Sequence, residues 1–193
     1  MKTMNVKTLW IAALLIAGIS FTGCENTGDN EATSGKLKIQ LTDAPFPTDL
    51  VAEANVTINK IDIRKKDSID DGHPFITLKE EEMAFNLLDL TNGVTANLVD
   101  LEIDAGTYDL VRLYVSEASV TLTDGREFDL FVPSGAQTGV KIFIDPAVIV
   151  AGGLTAELLL DFDVSRSFVV QGNTNTPAGI NGFIVKPVIK ASN

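Results

Sequence analysis

Apolar and polar residues trade places one by one through most of this chain. Leu37, Ile39 and Leu41 alternate with Lys36, Lys38, Gln40 and Thr42. The same rhythm returns in Val111, Leu113 and Val115, in Ala118, Val120 and Leu122, in Val140, Ile142 and Ile144, and in Leu158, Leu160, Phe162 and Val164. A period of two puts every second side chain on one face of a strand, and that face must be covered. Nine or ten short runs with Gly, Pro, Asn or Asp between them, and no amphipathic helical period, predict an all-β fold. The architecture expected is a two-sheet antiparallel β-sandwich.

Several details follow from parity. Val56 and Ile58 share one parity and Ile61 and Ile63 the other, so a β-bulge is expected near Asn59-Lys60. Ala118, Val120 and Leu122 are even-numbered, as are Phe128, Leu130 and Val132. A two-residue loop at Asp124-Gly125 would set these faces against each other. A three-residue loop, Thr123–Gly125 with Gly125 left-handed, places Val120 opposite Phe128. Tyr108 is out of step with Val111 and is expected to close over one end of the sandwich, its hydroxyl seeking a backbone acceptor. Phe85–Leu90 reads as a strand, Val94–Val99 as a loop or a helical turn, and Asp145-Pro146 as a strand stop. The strand of Leu158 extends through Val164, with Asp161 and Asp163 facing out. Gln171–Gly182 reads as an exposed loop, and Phe183–Lys190 as a last strand in which Pro187 requires an edge or a bulge.

The first 35 residues read as an address and a tether. Met1–Lys7 is basic and Leu9–Ile19 is an eleven-residue apolar run, short for a bilayer span and suited to a signal peptide. Ser20-Phe21-Thr22-Gly23-Cys24 then resembles a bacterial lipobox, in which cleavage precedes an acylated cysteine; Phe21 stands where Leu is usual. The expected division is a lipoprotein signal at residues 1–23, an acidic polar tether at 24–35, and one domain at 36–191. The sulfur of Cys24 would carry the lipid, with palmitate among the acyl chains, and place the protein on the outer membrane of the cell envelope, facing the periplasm or the surface. More than one acyl chain gives stable anchoring.

Charge and composition exclude more than they select. The chain carries a net charge of −11, and loss of Lys2 and Lys7 with the signal leaves −13. Such a surface is not suited to nucleic acid, whose phosphates need Lys and Arg. It suits cations and neutral partners such as glycans. The single cysteine and single histidine, His73, leave no common catalytic triad and no zinc spacing. No phosphate-cradling glycine loop is present. The chain reads as a non-enzyme that needs no cofactor. Calcium is the cation its loops could hold, through Asp43, Asp67, Asp70 and Asp71. Asp43 is singled out because the residue two places on is Pro45, which has no N–H to offer. It must reach Phe46, another loop or a cation. Tyr108 and Tyr114 join Asp43 as candidate ligand-binding residues. Phe46 and Phe131 are the further aromatics that could stack on a sugar. Arg112 is expected to lay its stem on the sheet with its charge in water.

Five stretches together resemble one family: Leu41–Pro45, Ala105–Leu113, Pro133–Lys141, Leu160–Val164 and Val185–Ile189. This set, covering about residues 35–191, is similar to the domain of unknown function numbered 4382. The Ala105-Gly-Thr-Tyr108 piece also resembles transthyretin-like and collagen-adhesin modules. The resemblance implies a prealbumin/transthyretin-like or Ig-like sandwich on the cell envelope, with no reaction attached. The expected role is adhesion, assembly or ligand binding, with a protein or glycan partner; the alternative is a glycan-binding module, calcium-assisted, serving polysaccharide capture.

Overall fold

The computed structural model describes residues 33–44, 49–66, 75–133 and 135–193. Among them are twelve strands: β1 Ser34–Asp43, β2 Val51–Lys65, β3 Phe75–Lys79, β4 Met83–Asn86, β5 Ala96–Asp104, β6 Gly106–Leu122, β7 Glu127–Asp129, β8 Val140–Val150, β9 Thr155–Phe162, β10 Phe168–Gly172, β11 Ile180–Val185 and β12 Ile189–Ser192. Sheet A runs β12-β9-β1-β5. Sheet B is built on the long β2–β6 pair, with β3 and β4 sharing the far edge of β2, and β7 and β8 sharing the far edge of β6. The β10–β11 hairpin forms a third, small sheet. The fold is an all-β sandwich. One pairing departs from the antiparallel expectation: β1 and β9 run parallel, Lys36 facing Thr155 and Asp43 facing Phe162.

One core fills the space between the sheets. Leu37, Ile39 and Leu41 of β1 and Leu158, Leu160 and Phe162 of β9 meet Val56, Ile58, Ile61 and Ile63 of β2 and Val111, Leu113, Val120 and Leu122 of β6. Each such side chain contributes roughly 1.5–3 kcal/mol by leaving water. The bulge expected at Asn59 is present: Ile58 faces Val115 and Lys60 faces Tyr114, leaving Asn59 as the extra residue. The β6–β7 hairpin also forms as expected. Val120 faces Phe128, Leu122 N–H donates to Arg126 O at 2.8 Å, and Gly125 has φ 85°.

Ala105 passes the chain from one sheet to the other, from β5 in sheet A to β6 in sheet B. Just beyond it, Asp109 is an extra residue against β2, since Tyr108 pairs Lys65 while Leu110 pairs Arg64; on the other side β8 passes it with four residues between the Phe143 and Val148 pairings. That bulge turns Tyr108 inward despite its parity. Its ring is fully buried, and its hydroxyl donates to Asp104 O at 2.8 Å.

Four local expectations are corrected. The Phe85–Leu90 strand stops at Asn86, because Asn86 Oδ1 accepts the N–H groups of Leu88 and Ala54 and starts a 3₁₀ turn at Leu87–Leu90. Of the Val94–Val99 segment, Val94-Thr95 is loop and Ala96–Val99 opens β5; buried Leu98 and Val99 are consecutive because Leu98 bulges opposite Ile39/Gln40. β8 continues through Asp145-Pro146, as residues 144–147 arch away between the Phe143 and Val148 pairings, where proline's missing N–H does no harm. β9 ends at Phe162, and Val164–Ser167 is a single helical turn capped by Asp163. Pro187 falls in the break between β11 and β12.

Candidate functional site

The solvent face of sheet B carries the most concentrated polar chemistry. On β2 it presents Asn55, Thr57, Lys60, Asp62 and Arg64; their cross-strand neighbours on β6 are Ser119, Glu117, Tyr114, Arg112 and Leu110. At its centre is Asp62, a buried carboxylate. Tyr114 Oη donates to Asp62 Oδ2 at 2.9 Å and Thr77 Oγ1 to Asp62 Oδ1 at 2.8 Å. Lys60 Nζ lies 3.5 Å from Asp62 Oδ1 and 5.3 Å from the Tyr114 ring centroid. Two hydroxyls and an ammonium around one carboxylate hold the Tyr114 ring in a single orientation.

Two grooves lie along the same strands, both on the Asn55–Lys60 side of Asp62. One, of about 450 Å³, is lined by Asn55, Thr57, Ser119, Glu127 and Asp129 among others. The other, of about 420 Å³, is lined by Asn59, Lys60, Tyr114, Ala136 and Glu80–Glu82. Both lie at parity slips, where bulges on β2 and β6 twist the ladder open. Their lining is mostly amide, hydroxyl, carboxylate and ammonium, with one aromatic ring and the apolar Ala118, Leu130 and Ala136. Such a surface can hydrogen-bond a hydroxyl-rich or amide-rich ligand.

Beyond Asp62 the same face is cationic and aromatic. The Arg112 guanidinium lies over the Phe75 ring, 3.5 Å from its centroid, and its Nε is buried with no hydrogen-bond partner among the described residues. The expectation that its charge sits in water is therefore corrected: the charge is stacked. Arg64 grips Asp109 with Nε and a terminal nitrogen at 2.8 and 3.0 Å. Phe143, across from Leu110, is 67% exposed.

The structure does not bring Asp43, Tyr108 and Tyr114 together. Tyr114 belongs to the face just described. Tyr108 is sealed in the core at the Ser34 end of β1, where Ser34 pairs Asp104, and burial raises its phenol above the ordinary value. Asp43 ends β1 at the opposite pole, nine residues on, hence about 30 Å away. It is 4% exposed. Oδ1 accepts Val164 N–H at 3.0 Å, so the partner required by Pro45 is another loop. Oδ2 has no partner among the described residues. Burial, then Asp161 and Asp163, push its carboxyl up to about 7 against the pull of the Val164 and Ala44 N–H groups.

Three of the five family-bearing stretches converge at this Asp43 corner. Asp163 N–H donates to Val188 O, and Lys186 N–H to Ser167 O. Ser167 Oγ accepts Val188 N–H at 2.8 Å, and Asp163 Oδ1 accepts Arg166 N–H at 3.0 Å and Ser165 Oγ at 2.7 Å. Asp163 is thus a helix cap rather than a solvated residue, and Asp161 Oδ1 is likewise buried. These contacts tie β1, β9, β10 and the Lys186–Val188 link into one joint. Cys24, Phe46, Asp67, Asp70, Asp71 and His73 lie outside the described residues. Among the described residues no three His, Cys, Asp or Glu side chains gather to hold a metal ion. No described helix is long and apolar enough to cross a membrane.

Parity alone points to Asp62 and Phe143 as outward residues on strands, yet the sequence reading passes over both. The Phe75–Arg112 stack carries no local signal, because its partners come from different strands. Residues 34–187 match the model of the domain of unknown function DUF4382. No curated protein and no solved structure matches the chain.

Proposed function

The chain belongs to the DUF4382 family, and on that premise we propose that it is a lipid-anchored, non-catalytic binding module of the cell envelope whose ligand face is the solvent side of sheet B. The observation that carries the reading is the polar tract along β2 and β6, with two grooves along it, one of them lined by a tyrosine whose hydroxyl is held by the buried Asp62. Its amides, hydroxyls and charged groups are suited to binding and orienting a ligand. The anchor rests on the lipobox-like segment ending at Cys24. Cys24→Ala is expected to release the protein from the membrane fraction; unchanged partitioning overturns the anchor.

A glycan is the ligand class favoured within this reading. Hydroxyl-rich sugars suit a tract of Asn, Thr, Ser, Glu and Asp, and Tyr114 offers part of a ring for stacking. Tyr108 is removed from that role by burial, and Phe131, 82% exposed, stands apart from the network. Binding to a glycan array that Tyr114→Ala or Ser119→Arg abolishes supports the assignment. An array without hits, or binding indifferent to both substitutions, sends the module back to a protein partner.

A further inference from the structure

At the pole where the tether enters, the fold presents apolar side chains on a pinned turn. Ala105 N–H donates to Thr33 O and Gly153 N–H to Ser34 O, each at 2.8 Å. The turn between β8 and β9, Ala151-Gly152-Gly153-Leu154, closes through Leu154 N–H to Ala151 O at 3.1 Å, while Leu154 O accepts Lys36 N–H at 2.8 Å. The backbone is thus tied on both sides, yet the Leu154 side chain is 65% exposed and that of Ile149, at the end of β8, is 67% exposed. Two large aliphatic side chains are thus held out beside the chain's point of entry.

We propose that this tip, Ile149 and Leu154, rests in the interfacial layer of the phospholipid bilayer that holds the Cys24 acyl chains. The inference depends on the lipid-anchor reading and adds an orientation to it. Ten residue steps separate Cys24 from Ser34, so the Ser34 pole is held within at most about 36 Å of the acylated cysteine. The Asp43 pole lies a further 30 Å or so along β1. Of the described surface, the tip is therefore the part nearest the anchor along the chain. Charge does not choose the lipid. Exposed Lys36 and Lys66 share the pole with exposed Glu102 and Asp104, so zwitterionic headgroups suffice. In this pose the long axis of the sandwich stands away from the bilayer, and the polar tract of sheet B begins well above the surface.

The test uses the acylated protein reconstituted into phosphatidylcholine vesicles. The one tryptophan of the sequence, Trp10, precedes Cys24 and leaves with the signal, so Leu154→Trp is a single reporter and Phe131→Trp its control at a distant, exposed position. Co-flotation with vesicles reads the anchor separately. Lipids brominated near the top of the acyl chain are expected to remove most of the Leu154→Trp emission and leave Phe131→Trp unquenched. Vesicle-bound protein whose two reporters are quenched equally, or not at all, overturns the orientation while sparing the anchor. Protein that fails to float overturns both.

Discussion

Asp43→Asn should flatten the dependence of stability on pH. The Asp43 carboxyl titrates near 7 in the fold, against 3.8 for the free group, chiefly because it is buried. Between those values the folded chain holds a proton that the unfolded chain has released, so folding stability falls as pH rises from about 4 to about 7. Below that window both states are protonated and nothing is lost; above it the loss is complete. At about 1.4 kcal/mol per pH unit the ceiling is about 4 kcal/mol, and relaxation around the ionised group brings the expected figure to about 2–4 kcal/mol. Asparagine keeps an oxygen for Val164 N–H but cannot ionise. Its amide nitrogen adds a cost of its own, which does not vary with pH. The readout is therefore the difference in unfolding free energy between variant and wild type, measured by urea denaturation from pH 4 to 8. That difference should move in the variant's favour by about 2–4 kcal/mol across the window. Parallel profiles, or a difference moving the other way, would refute the claim that a desolvated carboxyl sits at this corner.

Three further substitutions probe other joints. Tyr108→Phe deletes the hydroxyl that meets Asp104 O and should cost about 1 kcal/mol in urea denaturation without changing the slope; no cost would remove the bond from the account. Gly125→Ala puts a Cβ on a residue at φ 85° with nothing within 4 Å, so the strain is purely local: about 1–2 kcal/mol by thermal unfolding, with the sheet unaltered. Asp62→Ala deprives Tyr114 and Thr77 of their shared acceptor and should lower stability by about 1–3 kcal/mol. It should also weaken ligand capture more than a matched loss of stability at Tyr108 does.

What the sequence could disclose was what repeats over short distances. The β6–β7 hairpin was legible because Val120, Gly125 and Phe128 lie within nine positions, and parity alone selects the loop. The Asn59 bulge was legible for the same reason. β5 was hidden because Leu98 and Val99 are buried in succession, so the bulge that explains them erases the alternation that would have announced the strand. The parallel pairing of β1 with β9 has no local trace, since Lys36 and Thr155 are brought together only by the intervening fold. Asp43 could be seen to need a distant partner, because Pro45 removes the near one, but Val164 lies 121 residues away. The candidate face follows the same rule. Tyr114 was named for its ring, while Asp62 and Arg112 take their roles from β3, and no single segment contains both halves of either contact.

The central claim is that ligands meet sheet B and not sheet A. The direct measurement is photo-crosslinking in native envelopes of the acylated protein, with a photoreactive phenylalanine derivative placed in turn at Thr57, on the polar tract, and at Lys38, on the solvent side of β1. The account predicts a discrete adduct from position 57, lost on adding Ser119→Arg, and none from position 38. Equal labelling from both positions, or labelling from position 38 alone, would contradict it.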